Sequence, residues 1–231
     1  MAVRSVATGS SSFTTFVQVL PRLASVVRHM RPTWHLPALA SVTPEFLRAQ
    51  GLTGLIWDVD GTLTGDRQPA LAADAAAPFH ALASAPGLRH VVLSNAGESR
   101  YRQLGAMFPG MPILRAYARG AQVRTRRLMG TDDSWTANEL ESRLAEGFVV
   151  VRKPHAALVA YAVRELERPP AEVVMIGDQY MTDIAGANLG GVRSIKLPTL
   201  APTSFRPAVR LSQRLEAAVY AIVYGPPRRA A

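Results

Sequence analysis

The chain has 231 residues and no cysteine; 48% of it is hydrophobic, 19% is charged, and its formal net charge is +9. That length suits one well-packed α/β domain with short additions and argues against a second full domain, while the apolar content argues against wholesale disorder. Without cysteine there are no disulfides and no thiolate metal sites, so any metal must be held by oxygen or histidine, and no apolar run reaches the roughly 20 residues a spanning helix needs. The positive charge comes almost wholly from arginine, since Lys153 and Lys196 are the only lysines. It favours anionic partners: phosphorylated substrates, anionic lipid head groups or nucleic acid.

Residues 1–44 carry Arg4, Arg22, Arg28 and Arg31 and no acid before Glu45, the composition of a basic N-terminal extension. Phe13, Phe16, Val17, Leu20, Leu23, Val26 and Val27 recur at helical spacing around a kinking Pro21. Three readings stay open for that helix: it lies on an anionic membrane surface, it is a transit peptide, or it packs on the domain.

A domain over 45–200 follows. From Leu52 onward short apolar runs end in polar, glycine-containing turns, and helical stretches follow them. The runs are Leu55 to Trp57, Val91 to Leu93, Met111 to Leu114, Phe148 to Val151, Val173 to Ile176 and Val192 to Leu197. Runs apolar on both faces suit buried parallel strands with helices on either side. Tyr101, Leu104 and Phe108 mark one helix, and Leu158, Tyr161, Ala162 and Leu166 another. The pattern predicts an α/β fold with a doubly wound, Rossmann-like parallel sheet, whose ligands bind at the carboxyl ends of the strands. The stretch 115–147, arginine-rich and then acidic, predicts a small helical insertion. Residues 201–231, with Leu211, Leu215, Val219 and Ile222 at helical spacing, predict a C-terminal amphipathic helix before a Pro226-Pro227-Arg228-Arg229 tail.

The ends of these runs carry the chemistry. Leu55-Ile56-Trp57 delivers Asp58 and Asp60 with a turn at Gly61-Thr62; Val91-Val92-Leu93 delivers Ser94 and Asn95. Phe148 to Val151 delivers Lys153, and Val173 to Ile176 delivers Gly177, Asp178 and later Asp183. Each is suited to phosphate or Mg²⁺. Together they suffice for phosphoryl transfer through an aspartyl phosphate, with Asp58 as nucleophile and Asp60 as acid and base. The Asp58 and Asp178 carboxylates and the Asp60 carbonyl offer the hard oxygen ligands Mg²⁺ prefers, with Asp183 beside them. Ser94, Asn95 and Lys153 suit the phosphate oxygens. The five histidines are scattered, without a pair at metal-ligand spacing, although His155 lies two residues from Lys153.

In this order, Asp58-Val59-Asp60-Gly61-Thr62, Ser94-Asn95, Lys153-Pro154 and Gly177-Asp178-Gln179-Tyr180-Met181-Thr182-Asp183 resemble the four motifs of the haloacid-dehalogenase (HAD) superfamily. The resemblance spans Leu52 to about Pro198. It implies a Mg²⁺-dependent phosphatase with no full cap domain, because neither the stretch from Asp60 to Asn95 nor that from Ser94 to Lys153 has room for one. The site is then open to bulky substrates, or partly closed by the arginine-rich insertion or by a neighbouring subunit.

The run Gly177-Asp178-Gln179-x-x-Thr182-Asp183-Ile184-x-Gly186-x-Asn188 is similar to the YqeG-like phosphatidylglycerophosphate phosphatase branch, as is the lead-in from Leu36 to Gly54. The chain departs from that branch at Gly61 and Ala96, where asparagine is frequent. The resemblance implies an anionic phospholipid substrate and peripheral contact with a membrane, in the cytoplasm or alternatively the mitochondrial matrix. A soluble sugar or nucleotide phosphate is the alternative substrate, and a non-catalytic membrane-binding or nucleic-acid-binding protein the alternative class. Nucleic acid is the least expected partner.

Overall fold

The computed structural model describes residues 23–226. The expected helix residues Phe13, Phe16, Val17 and Leu20, and the tail beyond Pro226, lie outside these residues. Among the described residues nine strands form one sheet: β1 (Trp34–His35), β2 (Gly54–Trp57), β3 (Arg89–Val92), β4 (Ile113–Arg119), β5 (Gln122–Met129), β6 (Asp132–Asp133), β7 (Val149–Val151), β8 (Val173–Gly177) and β9 (Arg193–Lys196). Their order is β1-β9-β8-β2-β3-β4-β5-β6, with β7 paired to β4. The pairs from β1 to β4 along this order are parallel.

Alternation along the central strands explains the two-sided packing. Trp57, Val92, Val174 and Ile176 enter one apolar cluster with Leu47, Phe79, Leu82, Tyr101 and Leu104. These helical residues come from α2 (Pro44–Ala49), α3 (Ala73–Ala83) and α4 (Glu98–Met107). The intervening Ile56, Val91, Val173 and Met175 enter a second cluster with Leu158, Val159, Ala162 and Leu166 of α6 (Ala156–Leu166). A central strand buried on both faces is therefore apolar at every position, which is the pattern that predicts a doubly wound α/β sheet.

Three expectations are corrected. The stretch 115–147 is mostly not helical. β4 and β5 pair antiparallel from Ile113↔Leu128 to Arg119↔Gln122 around Gly120, whose φ of 59° suits glycine. Only α5 (Ala137–Ala145) is helical there, started by a Thr136/Glu139 capping box. The arginines read as a helix face sit on the two strands instead, where Arg124 is exposed and Arg126 is fully buried. It forms ion pairs with Glu98 and Asp133 and lies 4.8 Å from the Tyr101 ring centroid.

The run Phe148 to Val151 is not a buried parallel strand. β7 runs antiparallel to β4 at the margin of the sheet, and Val149 is 60% exposed. The boundary at residue 45 also falls inside the packed unit. Trp34 and His35 pair with Ile195 and Lys196 of β9. Val26 of α1 (Leu23–Arg28) and Met30 pack with Tyr180, Ile184 and Tyr220. Among the described residues no helix is long and apolar enough to cross a membrane.

Candidate active site

Trp57 of β2 pairs with both Val92 of β3 and Ile176 of β8, so the three strands leave the sheet at one level. Asp58 directly follows Trp57, and its N–H still donates to the Ile176 carbonyl at 3.0 Å. The chain then turns tightly: the Val59 carbonyl accepts from the N–H groups of Thr62, Leu63 and Thr64. Gly61 has a φ of 99°, and a Cβ placed on it would lie 2.7 Å from Asp178 Oδ2. Only glycine supplies this backbone angle and leaves room for the carboxylate.

Three acids and one ammonium meet at the carboxyl ends of these strands. Lys153 Nζ donates to Asp58 Oδ1 at 2.5 Å and to Asp183 Oδ1 at 2.7 Å, and all three residues are buried. The Thr62 hydroxyl donates to Asp58 Oδ2 at 3.2 Å. Asp178 Oδ2 accepts from Thr199 Oγ1 at 2.7 Å and Gln213 Nε2 at 3.2 Å, whereas its buried Oδ1 has no hydrogen-bond partner among the described residues. Asp183 is positioned by the Gln179 N–H, which donates to its Oδ2 at 3.0 Å. Ligand oxygens from Asp58, Asp178 and Asp183 all lie within 4.8 Å of one another.

The charges do not balance. Three carboxylates against one contacting ammonium would leave two negative charges in a buried site. Burial, then repulsion from Asp183, pushes the Asp58 carboxyl well above the usual carboxylate range despite Lys153. Burial and Asp183 also push Asp178 up, to about 7. Burial alone would lower the Lys153 ammonium, but Asp183 and Asp58 hold it above its ordinary value. A divalent cation fits this set: it would restore the balance and give Asp178 Oδ1 a partner.

The remaining sequence candidates take more varied positions. Ser94 lines the cleft, with its Oγ accepting from the Ala96 N–H at 3.2 Å. The Asn95 side chain is turned onto the main chain of Lys153, accepting from its N–H at 2.7 Å and donating to its carbonyl at 3.2 Å. Its amide group therefore holds the Lys153 backbone. Asp60 also lines the cleft and is tied at Oδ1 by Arg100 Nη2 at 2.6 Å, Thr64 Oγ1 at 3.2 Å and the Arg67 N–H at 3.2 Å. Arg100, on α4, is buried and also donates to the Gln68 carbonyl at 2.8 Å. His155 caps α6, accepting from the Ala157 N–H.

The cleft, about 130 Å³, is lined beyond these groups by Asp66, Arg67, Gln179, Met181, Thr182 and the segment from Phe205 into α8 (Pro207–Tyr224), the helix that follows α7 (Ala185–Leu189) in the chain. No residue of 115–147 lines it, so the insertion does not close the site, contrary to one expectation from the sequence. Val209, Ser212, Gln213 and Glu216 of α8 line it instead. Glu216 is buried, accepts from the Met181 N–H at 3.2 Å, and is raised by burial to about 7.

Arg100, Gln213, Glu216 and Thr199 escaped the sequence reading. Only Glu216 left a local signal, as the single acid after residue 200 in an otherwise apolar and arginine-rich stretch.

Fold and site together define an α/β domain with a buried, cation-ready carboxylate cluster at the strand ends. Residues 150–199, which hold Lys153, Asp178 and Asp183, match the family model described as HAD-hydrolase-like, and this match supports a hydrolase of the HAD superfamily. The crystal structure of an uncharacterized protein from Listeria monocytogenes serotype 4b is similar at 18% identity and a TM-score of 0.41, covering 66% of this chain and 88% of that one. No curated protein matches the sequence.

Proposed function

We propose that the protein is a Mg²⁺-dependent phosphatase that works through an aspartyl phosphate on Asp58. The observation that carries this reading is the junction at Asp58: one carboxylate shared between the buried Lys153 ammonium and an acidic triad that includes the unpartnered Asp178 Oδ1. Asp58, Asp178 and Asp183, with the Asp60 carbonyl, would hold Mg²⁺. The ion would neutralise phosphate charge and keep Asp58 ionised.

An Asp58 oxygen then attacks phosphorus and the ester P–O bond breaks, with Asp60 giving its proton to the departing alkoxide. Lys153 and Ser94 bind the non-bridging oxygens, where negative charge is stabilised. Water next attacks the phosphorus of the aspartyl phosphate and passes a proton to Asp60. Phosphate leaves, and both carboxyl groups return to their starting states. Asn95 contributes by fixing the backbone of Lys153, and Arg100 by fixing the carboxyl of Asp60.

For the substrate we infer a phosphate monoester on an amphiphile, with phosphatidylglycerophosphate the first to test. Support comes from the lining of the cleft, where Met181, Phe205 and Val209 stand beside Arg67 and Arg206. That pairing of apolar and cationic groups suits a lipid phosphate, while Asp66, Gln179, Ser212 and Gln213 on the same wall make sugar phosphates the second class to test. Phosphate release would be measured from phosphatidylglycerophosphate in mixed micelles, a set of sugar phosphates and a set of nucleotides. The inference expects the highest kcat/KM for the lipid. A soluble ester preferred by orders of magnitude would overturn it while leaving the aspartyl chemistry standing.

A further inference from the structure

We propose that the outer face of α8 is a docking surface for an anionic lipid bilayer. This helix is two-sided. One face, with Val209, Ser212, Gln213 and Glu216, lines the cleft, and further along Tyr220 stacks on Tyr180, with ring centroids 4.2 Å apart. The other face has no partner among the described residues. Leu211 is 59% exposed, Leu215 57% and Ile222 83%, and Ala218 is exposed between them. At intervals of four, three and four residues, Leu211, Leu215, Ala218 and Ile222 share one stripe of the helix.

Charge identifies the occupant. Arg206 just before the helix, and Arg210 and Arg214 within it, recur at every fourth residue. The helix has one acid, Glu216, which is buried against the Met181 N–H, so no carboxylate of α8 faces outward. α1 continues this character beside the far end of α8. The Tyr224 hydroxyl donates to the Val27 carbonyl at 2.9 Å, and α1 exposes Leu23 and Arg28 with no acid. An apolar stripe bordered by arginines and free of acids matches a negatively charged interface, into which apolar side chains sink while guanidinium groups stay with the head groups. A protein partner would need an acidic apolar groove of matching length; the bilayer needs only the charge and the stripe. Docked this way, α8 lies in the interface, and Phe205 and Arg206, which lead into it and line the cleft, adjoin the lipid surface.

The test reads binding, so it stands apart from the proposed hydrolysis. The full-length protein is sedimented with vesicles of phosphatidylcholine alone and of phosphatidylcholine mixed with phosphatidylglycerol, in low and high salt. The expected result is binding to the mixed vesicles only, weakened by salt. In both Leu211→Glu/Leu215→Glu/Ile222→Glu and Arg210→Glu/Arg214→Glu, partitioning should fall by roughly tenfold or more. Thermal unfolding and para-nitrophenyl phosphate turnover should stay at parent values, since none of these side chains lines the cleft. No binding to the mixed vesicles, equal binding to both lipid compositions, or undiminished binding by the variants would each overturn the proposal. So would a parent dimer that the leucine substitutions dissociate, because a second copy of the chain would then cover this face.

Discussion

Lys153→Met removes the one ammonium in contact with the acidic cluster while keeping a side chain of similar length. In the parent, Lys153 Nζ sits 2.5 Å from Asp58 and 2.7 Å from Asp183, with side chains exposed by only 2%, 9% and 1% respectively. Breaking a buried pair by deleting one partner costs about 3–5 kcal/mol, because the other charge stays buried. For a chain of this length each kcal/mol moves Tm by roughly 2–4 °C, so the variant should melt roughly 6–20 °C lower at about pH 8 without metal. Two conditions should narrow the gap. Near pH 5.5 the Asp178 carboxyl, raised to about 7, takes up a proton, and acid also favours the neutral form of Asp58, which burial raises. Mg²⁺ supplies the missing charge and should bind the more negative variant more tightly than the parent, each tenfold in Kd narrowing the gap by about 1.4 kcal/mol under saturation. Thermal unfolding followed by circular dichroism in four conditions, two pH values with and without Mg²⁺, measures this. A variant as stable as the parent at pH 8, or a deficit unchanged by acid and by Mg²⁺, would refute the electrostatic account of the site.

Gly61→Ala forces a left-handed backbone angle on alanine and drives its Cβ to 2.7 Å from Asp178. It should cost at least about 2 kcal/mol in urea unfolding and weaken Mg²⁺ binding in calorimetry. Arg100→Gln frees Asp60 from its ion pair while sparing the phosphate contacts. It should lower kcat by about tenfold or more with KM within about twofold, and alter the pH-rate profile; a uniform rise in KM would assign Arg100 to substrate binding instead. Without metal, the folded protein retains protons on Asp178 and Glu216 up to about pH 7 that the unfolded chain has released. This pair therefore lowers stability as pH rises toward neutrality. The parent should lose more Tm than Asp178→Asn/Glu216→Gln between about pH 5 and about pH 8, and an equal loss would show that these groups are not raised.

What the sequence revealed, and what it hid, divides along the range of the interactions. Leu55-Ile56-Trp57 and Val173 to Ile176 read directly as strands, since burial on both faces leaves no room for polar residues. Asp58 and Asp178 therefore stood out as the first polar groups at strand ends, and the structure brings them together with Lys153 and Asp183. The β4–β5 hairpin did not read as strands because Arg124, Arg126 and Arg127 fit a solvated helix by spacing as well as a strand. Only Glu98, 28 residues away, together with Asp133 on the neighbouring β6, makes Arg126 an interior residue. The same holds for Asn95, whose partner lies 58 residues away, and for α8. Its amphipathic pattern identified a helix, but its place over the cleft depends on Gln213 meeting Asp178 and Glu216 meeting Met181, contacts no local pattern encodes.

The central claim is that Asp58 is a nucleophile working with Mg²⁺, and the most direct measurement is para-nitrophenyl phosphate hydrolysis by the parent and Asp58→Asn, with Mg²⁺ and with a chelator. The account predicts turnover by the parent that is lost on chelation, and loss of at least about a thousandfold in the folded Asp58→Asn protein. Hydrolysis that persists in that variant, or that proceeds at the parent rate without metal, would contradict it.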